Sequence, residues 1–143
     1  MSWAILDDHL LRDLLADDLP AELARVLDRY QPATTNLYLY RLSKSVVSAR
    51  GGALTGGWTA GQRRALGSNL VALPDGIQIV PLRTIAYRMA EIAESHRVST
   101  LGAECAAAAE HLDASLNVWS GDDGPGIRAA VTGLGLVYRT IDR

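Results

Sequence analysis

Residues 3–15, WAILDDHLLRDLL, decide the fold. Trp3 to Leu6 is an apolar run without alternation, the pattern of a short strand buried on both faces as in a parallel sheet. It breaks off into the carboxylates of Asp7 and Asp8, and an apolar pattern of helical spacing starts at once near His9. Charge that appears where such a strand stops lies at its carboxyl end, the edge at which open α/β sheets bind ligands. Asp7 is therefore the first candidate for a working residue. The other reading of the same residues is structural: Asp7 or Asp8 caps the helix by accepting its unpaired backbone N–H groups.

Outward from this unit the chain alternates between helix and strand. His9–Ala16 reads as a helix, and Pro20 opens a second in which Leu23, Val26, Leu27 and Tyr30 form one buried stripe. A short β-prone piece at Ala33–Thr35 precedes a helix over Asn36–Arg50. Gly51–Gly61 holds five glycines and reads as a flexible connection; no lysine follows in P-loop spacing. A helix over Thr59–Leu73 stops at Pro74, and Ile77–Val80 is the clearest strand. Helices over Arg83–His96 and Thr100–Ala114, a strand over Leu116–Trp119, a short helix over Gly126–Thr132 and a closing strand over Leu136–Tyr138 complete the pattern. Strands separated by helices predict an α/β fold in three layers, αβα, with a parallel sheet of about five short strands. Neither a repeat nor a long linker divides residues 1–143, so one domain is expected.

Composition narrows the function classes. Cys105 is the only cysteine among 143 residues, which excludes an internal disulfide framework and a Cys-based zinc site and suits a reducing cytoplasm. No stretch reads as a signal peptide or a membrane span, so a soluble cytoplasmic protein is expected. The net charge of −2 says little, but its distribution says more: all 16 acidic residues lie outside residues 29–74. That segment carries Arg29, Arg41, Lys44, Arg50, Arg63 and Arg64, six cations and no acid, together with Tyr30, Tyr38, Tyr40 and Trp58. Cations neutralise phosphates while rings stack on bases, so the segment suits single-stranded nucleic acid. It equally suits a basic face that pairs with acidic neighbours in the fold or on a partner.

Five short blocks, in order along nearly the whole chain, resemble the PIN-domain family of metal-dependent ribonucleases, most nearly its VapC-like toxin members. AILDDHLL resembles the family's apolar strand followed by Asp, and TTNLYLYRL its segment from a hydroxyl residue across a helix. LGAECAAAAEHL is similar to the block in which an acid precedes an Ala-rich helix, LNVWSGDD to the strand followed by Ser/Thr-x-Asp, and GLGLVY to the terminal strand. The resemblance implies a catalytic and metal-binding set of Asp7, Glu104 and Asp122, with Asp123 as a spare carboxylate and Ser120 as the hydroxyl residue before the last acid. It also implies Mg²⁺ or Mn²⁺, an RNA substrate met at Ser120, a cognate antitoxin protein and a homodimer, and on this reading Arg41, Lys44, Arg50, Arg63 and Arg64 of the basic segment steer the RNA.

Arg41 departs from the pattern, because it stands where the family has a Glu. Hard divalent cations take oxygen ligands and can assist the nucleophilic water, the phosphoryl oxygens and the leaving oxygen of a phosphodiester. Exchanging one of four acids for Arg changes the formal cluster charge from −4 to −2, and a single unit pair at about 4 Å is worth roughly 4 kcal/mol at an effective dielectric of ~20. Arg41 either takes the cation's place or turns outward to hold a phosphate. Two functions follow. One is a metal-dependent endoribonuclease of toxin type; the other is a catalytically degenerate PIN-fold module that binds RNA or a protein through residues 29–74. A receiver-domain reading of Asp7-Asp8-His9 lacks the later acceptor Asp, and a histidine on a helix is ordinarily a surface or hydrogen-bonded residue, so His9 joins no predicted site.

Overall fold

Trp3–Leu6 forms β1, the central strand, and its apolar run does not alternate because both faces are covered: Ala4, Ile5 and Leu6 are all fully buried. In the computed structural model, which describes residues 2–143, β1 lies between β2 (Gln31–Thr34) and β4 (Ser115–Trp119). The edges are β3 (Gln78–Ile79) and β5 (Tyr138–Ile141), giving the order β3-β2-β1-β4-β5 with every pairing parallel. The expected three-layer α/β architecture is therefore present.

Two layers of helix cover the sheet. Ile5, Ala33, Leu116 and Val118 point to one face, against α6 (Leu82–His96), α7 (Thr100–Leu112) and α8 (Pro125–Gly133). The small side chains of Ala106–Ala109 are all buried there, and they let α7 lie close to the strands. On the opposite face Ala4 and Leu6 meet Leu10 of α1 (Asp8–Leu15) and Leu23 and Val26 of α2 (Ala21–Leu27). Leu11 and Leu15 turn outward from the sheet and pack on Leu42, Leu54 and Leu66 of α3 (Asn36–Val47), α4 (Gly52–Thr55) and α5 (Ala60–Val71). Helix α1 is thus enclosed on nearly every side. Among the described residues no helix is long and apolar enough to cross a membrane.

Three expectations need correction. The glycine-rich stretch is not a free connection: it contains α4, pinned where Arg12 donates to the Leu54 carbonyl at 2.6 Å and where the Thr55 hydroxyl reaches the carbonyls of Ser45 and Gly51. The strand expected at Ile77–Val80 pairs only over Gln78–Ile79, because Val80 turns into the core and Pro81 starts α6. The closing strand begins at Tyr138 rather than Leu136: the Leu136 N–H still bonds the Val131 carbonyl of α8, after Gly135 at φ +77°.

Candidate metal centre

The strand order fixes where a site can form. From β1 the chain steps outward to β2 and β3, then returns to the other side of β1 for β4 and β5, so the order reverses between β1 and β4. Such a reversal opens a crevice at the carboxyl ends of the two strands. Asp7 follows β1 and the 3-10 turn Ser120–Asp122 follows β4, so both belong to this crevice.

Asp7 is the helix cap that one reading of the sequence expects, and it also lies in the crevice. One carboxylate oxygen caps α1 by accepting the Leu10 N–H at 2.9 Å; the other accepts the Trp119 N–H at 3.0 Å and ties the end of β1 to the end of β4. Burial pushes its carboxyl up to about 7, and the negative charge of Asp8 adds to the rise while the two backbone N–H groups oppose it.

Asp8 and His9 complete the interior of the cluster. Asp8 is 2% exposed; its Oδ1 accepts the His9 N–H at 3.0 Å, whereas Oδ2 is buried and accepts no hydrogen bond among the described residues. His9 is 5% exposed, with Nδ1 lying 3.4 Å from Asp8 Oδ1 and 2.7 Å from Asp122 Oδ2. Neither approach has hydrogen-bond geometry, so Nδ1 also makes no hydrogen bond among the described residues. The ring is held in place by Trp119, whose centroid lies 4.4 Å away.

Asp122 reaches over this pair because its turn folds back on the indole. A Cβ at Gly121 would fall 2.5 Å from the Trp119 ring, so only glycine lets the turn lie so close. One ligand atom each from Asp7, Asp8, His9 and Asp122 then falls within 4.8 Å of the others. Opposite ligands of a hard cation span a comparable distance at bond lengths of roughly 2.1–2.4 Å. These four residues could hold a metal ion. The fit goes beyond proximity: leaving a buried polar atom without a hydrogen bond costs about 1–3 kcal/mol, and a cation that took Asp8 Oδ2 and His9 Nδ1 among its ligands would satisfy both at once.

The remaining expected site residues fall elsewhere. Glu104 is fully buried but stands outside the group of four. Its Oε1 accepts the Leu37 N–H and its Oε2 the Asn36 side-chain amide, each at 2.9 Å, so it closes the N-terminus of α3. Asp123 turns away to the Tyr138 hydroxyl and the Arg128 guanidinium, each at 3.0 Å, and the arginine bond holds its carboxyl below the ordinary value. Arg41 sits at the mouth, 51% exposed on its side chain, with Nε 3.2 Å from Asp8 Oδ2. Ser120, Lys44, Arg50 and Arg64 are exposed, while Arg63 donates to the carbonyls of Thr55 and Trp58.

The aromatic half of the expected nucleic-acid face is largely consumed by packing. Tyr38 is core, and Trp58 and Tyr30 lie under Arg12 and Arg139 with centroid distances of 5.7 and 5.6 Å, which leaves Tyr40 exposed.

Sequence reasoning passed over Asp8 and His9 as site residues. The available signal was three consecutive ligand types, Asp7-Asp8-His9, at a strand end; the resemblance directs attention to one acid per block, and the histidine reads as an ordinary helical one. No family model matches the chain, and no curated protein matches it.

Proposed function

We propose that the protein is a divalent-cation-dependent endoribonuclease of PIN-like type, cleaving single-stranded RNA at Asp7, Asp8, His9 and Asp122. The observation that carries this reading is the pair of orphaned buried atoms, Asp8 Oδ2 and His9 Nδ1, inside a four-residue cluster at the sheet's reversal point. Mn²⁺ suits the set better than Mg²⁺, because an imidazole nitrogen stands among the carboxylate oxygens. When bound, such a cation supplies charge stabilisation at the phosphoryl oxygens and help in deprotonating the attacking water.

The chain's own residues supply the positioning. Asp7 is locked by two backbone N–H groups, the His9 ring is held by Trp119, and Asp122 closes the cluster from the solvent side, where its side chain is 42% exposed. On α3, Tyr40 and Arg41 are exposed in one turn and Lys44 in the next, a surface on which a phosphate backbone and one unstacked base can lie. The toxin of a toxin–antitoxin pair is the setting that accompanies this reading, with an antitoxin and a second copy of the chain as partners.

A second reading, a non-catalytic module binding RNA or a protein through residues 29–74, draws support from the ion pair between Arg41 and Asp8. One experiment separates the two. Chelator-treated wild type and Asp122→Asn are titrated with Mn²⁺ by calorimetry and assayed on fluorescent single-stranded RNA. Wild type is expected to bind Mn²⁺ and cleave, and the variant to lose both while keeping its melting temperature. Binding without cleavage selects the non-catalytic module, and absence of binding overturns the metal site.

A further inference from the structure

We infer that Arg41 competes with the divalent cation for Asp8 Oδ2, so that the cation's arrival releases the guanidinium to take a phosphate of the bound nucleic acid. This inference rests on the metal-site reading above and concerns its regulation.

The two partners of this ion pair are unequally placed. Asp8 is buried on a helix enclosed by the fold and has nowhere to move, whereas the Arg41 side chain is 51% exposed. Its Nε reaches Asp8 Oδ2 at 3.2 Å without hydrogen-bond geometry, so the contact is Coulombic and poorly directed. Half-exposed pairs of this kind contribute little to stability and separate readily. The backbone beneath Arg41 is anchored by the buried Tyr38 and Leu42 on the same helix, so only the side chain pivots.

Charge supplies the direction of the exchange. Asp7, Asp8 and Asp122 carry a formal −3 when ionised, and one guanidinium lowers this only to −2 from the edge of the cluster, while a divalent cation neutralises more from within it. Once displaced, Arg41 remains on α3 beside Lys44, where its planar fork can grip a phosphate with two N–H groups. Cation and polyanion should therefore bind cooperatively: each favours the arrangement in which Arg41 faces outward.

The test measures Mn²⁺ binding calorimetrically for wild type, Arg41→Gln and Arg41→Lys, and the affinity of each for a non-cleavable 2′-O-methyl RNA with and without Mn²⁺. Arg41→Gln should bind Mn²⁺ about tenfold more tightly than wild type, and Arg41→Lys within about threefold of it. Mn²⁺ should tighten RNA binding by wild type and much less by Arg41→Gln. Equal Mn²⁺ affinities in wild type and Arg41→Gln would overturn the competition and leave the metal site standing. Weaker binding in Arg41→Gln would overturn it by making Arg41 a helper, and Arg41→Lys binding as tightly as Arg41→Gln would overturn it by removing charge as the cause. No binding by any of the three would overturn the metal site and this inference with it.

Discussion

Two successive turns of α1 carry the same kind of cargo and treat it oppositely. Asp8 and His9 lie in the first turn; Arg12 and Asp13 follow four residues on, equally buried. Arg12 gives one N–H to the Leu54 carbonyl and two to Asp13 Oδ1, and Arg143 adds bonds of 2.6 and 3.2 Å to the two oxygens of Asp13. Every strong group in that turn is answered from within the chain. In the first turn Asp8 Oδ2 and His9 Nδ1 make no hydrogen bond among the described residues, and they meet the Arg41 guanidinium at 3.2 Å and the Asp122 carboxylate at 2.7 Å respectively. A helix enclosed by protein is ordinarily apolar all round, so each charged residue on it calls for an explanation, and the two turns give different ones: the fully hydrogen-bonded pair is architecture, and the pair without hydrogen bonds is a candidate site.

Removing Asp13 is expected to have the largest effect. Asp13→Ala leaves the Arg12 guanidinium buried without its counter-charge, and uncompensated charges of this sort cost about 3–5 kcal/mol. Urea unfolding should register that loss, while the increment of stability added by Mn²⁺ should survive because the first turn is untouched. A loss under about 1 kcal/mol would mean that the second turn is no more architectural than the first.

Glu104 extends the contrast to a second buried carboxylate. Glu104→Gln places an amide N–H₂ against a donor, either the Leu37 N–H or the Asn36 amide, and Asn36 cannot turn over without losing its bond to the Val80 carbonyl. The expected cost is about 1–3 kcal/mol in unfolding free energy, with Mn²⁺ affinity retained. Loss of Mn²⁺ binding at unchanged stability would return Glu104 to the ligand set that the sequence resemblance implies.

These cases also explain what the sequence discloses. The αβα architecture is legible because strand and helix periods are local, and Asp7 and Asp122 are legible because strand ends can be counted. What fails is anything set by enclosure. Nothing in HLLRDLL tells that α1 is covered on both sides, since α3, α4 and α5 arrive from residues 36–71. Without that cover His9 would be an ordinary surface histidine and Glu104 a plausible ligand. The same cover absorbs Tyr38 and Trp58, which sequence alone leaves free for bases. The short β3 is misjudged for a related reason: Ile77 and Val80 are apolar because they pack, not because they pair.

Asp7, next to the first turn, couples its proton to stability. Its folded value of about 7 lies above the 3.8 ordinary for an unperturbed Asp carboxyl, so the folded state holds the proton more tightly than the unfolded chain. The associated stability is complete below the unfolded value and is lost as pH rises toward 7. Between pH 5 and 7 the loss amounts to about 2 kcal/mol. Chelator-treated protein should melt at a lower temperature at pH 7 than at pH 5, with the Asp7 carboxyl carbon titrating near 7 by NMR. Saturating Mn²⁺ should flatten the profile, because a cation reverses the preference for the neutral acid. A carboxyl titrating near 4 would mean that the crevice is wetter than its burial indicates.

The smallest stability change belongs to the substitution that bears most directly on the site. Asp8→Asn keeps an oxygen to accept the His9 N–H and removes a buried charge, while the amide N–H₂ at the Oδ2 position turns the half-exposed Arg41 donor out toward solvent. Against this it gives up the pair with Arg41, which half exposure limits to about 0–1 kcal/mol. The two contributions nearly cancel, and the variant should be within about 1 kcal/mol of wild type, most naturally on the stable side, when unfolded in chelator. Its melting temperature should no longer respond to Mn²⁺, whereas that of wild type should rise by linkage. If Asp8→Asn instead lost about 3 kcal/mol in chelator, comparable with Asp13→Ala, Asp8 would already be answered within the chain, the asymmetry between the two turns of α1 would vanish, and the metal site would lose its support.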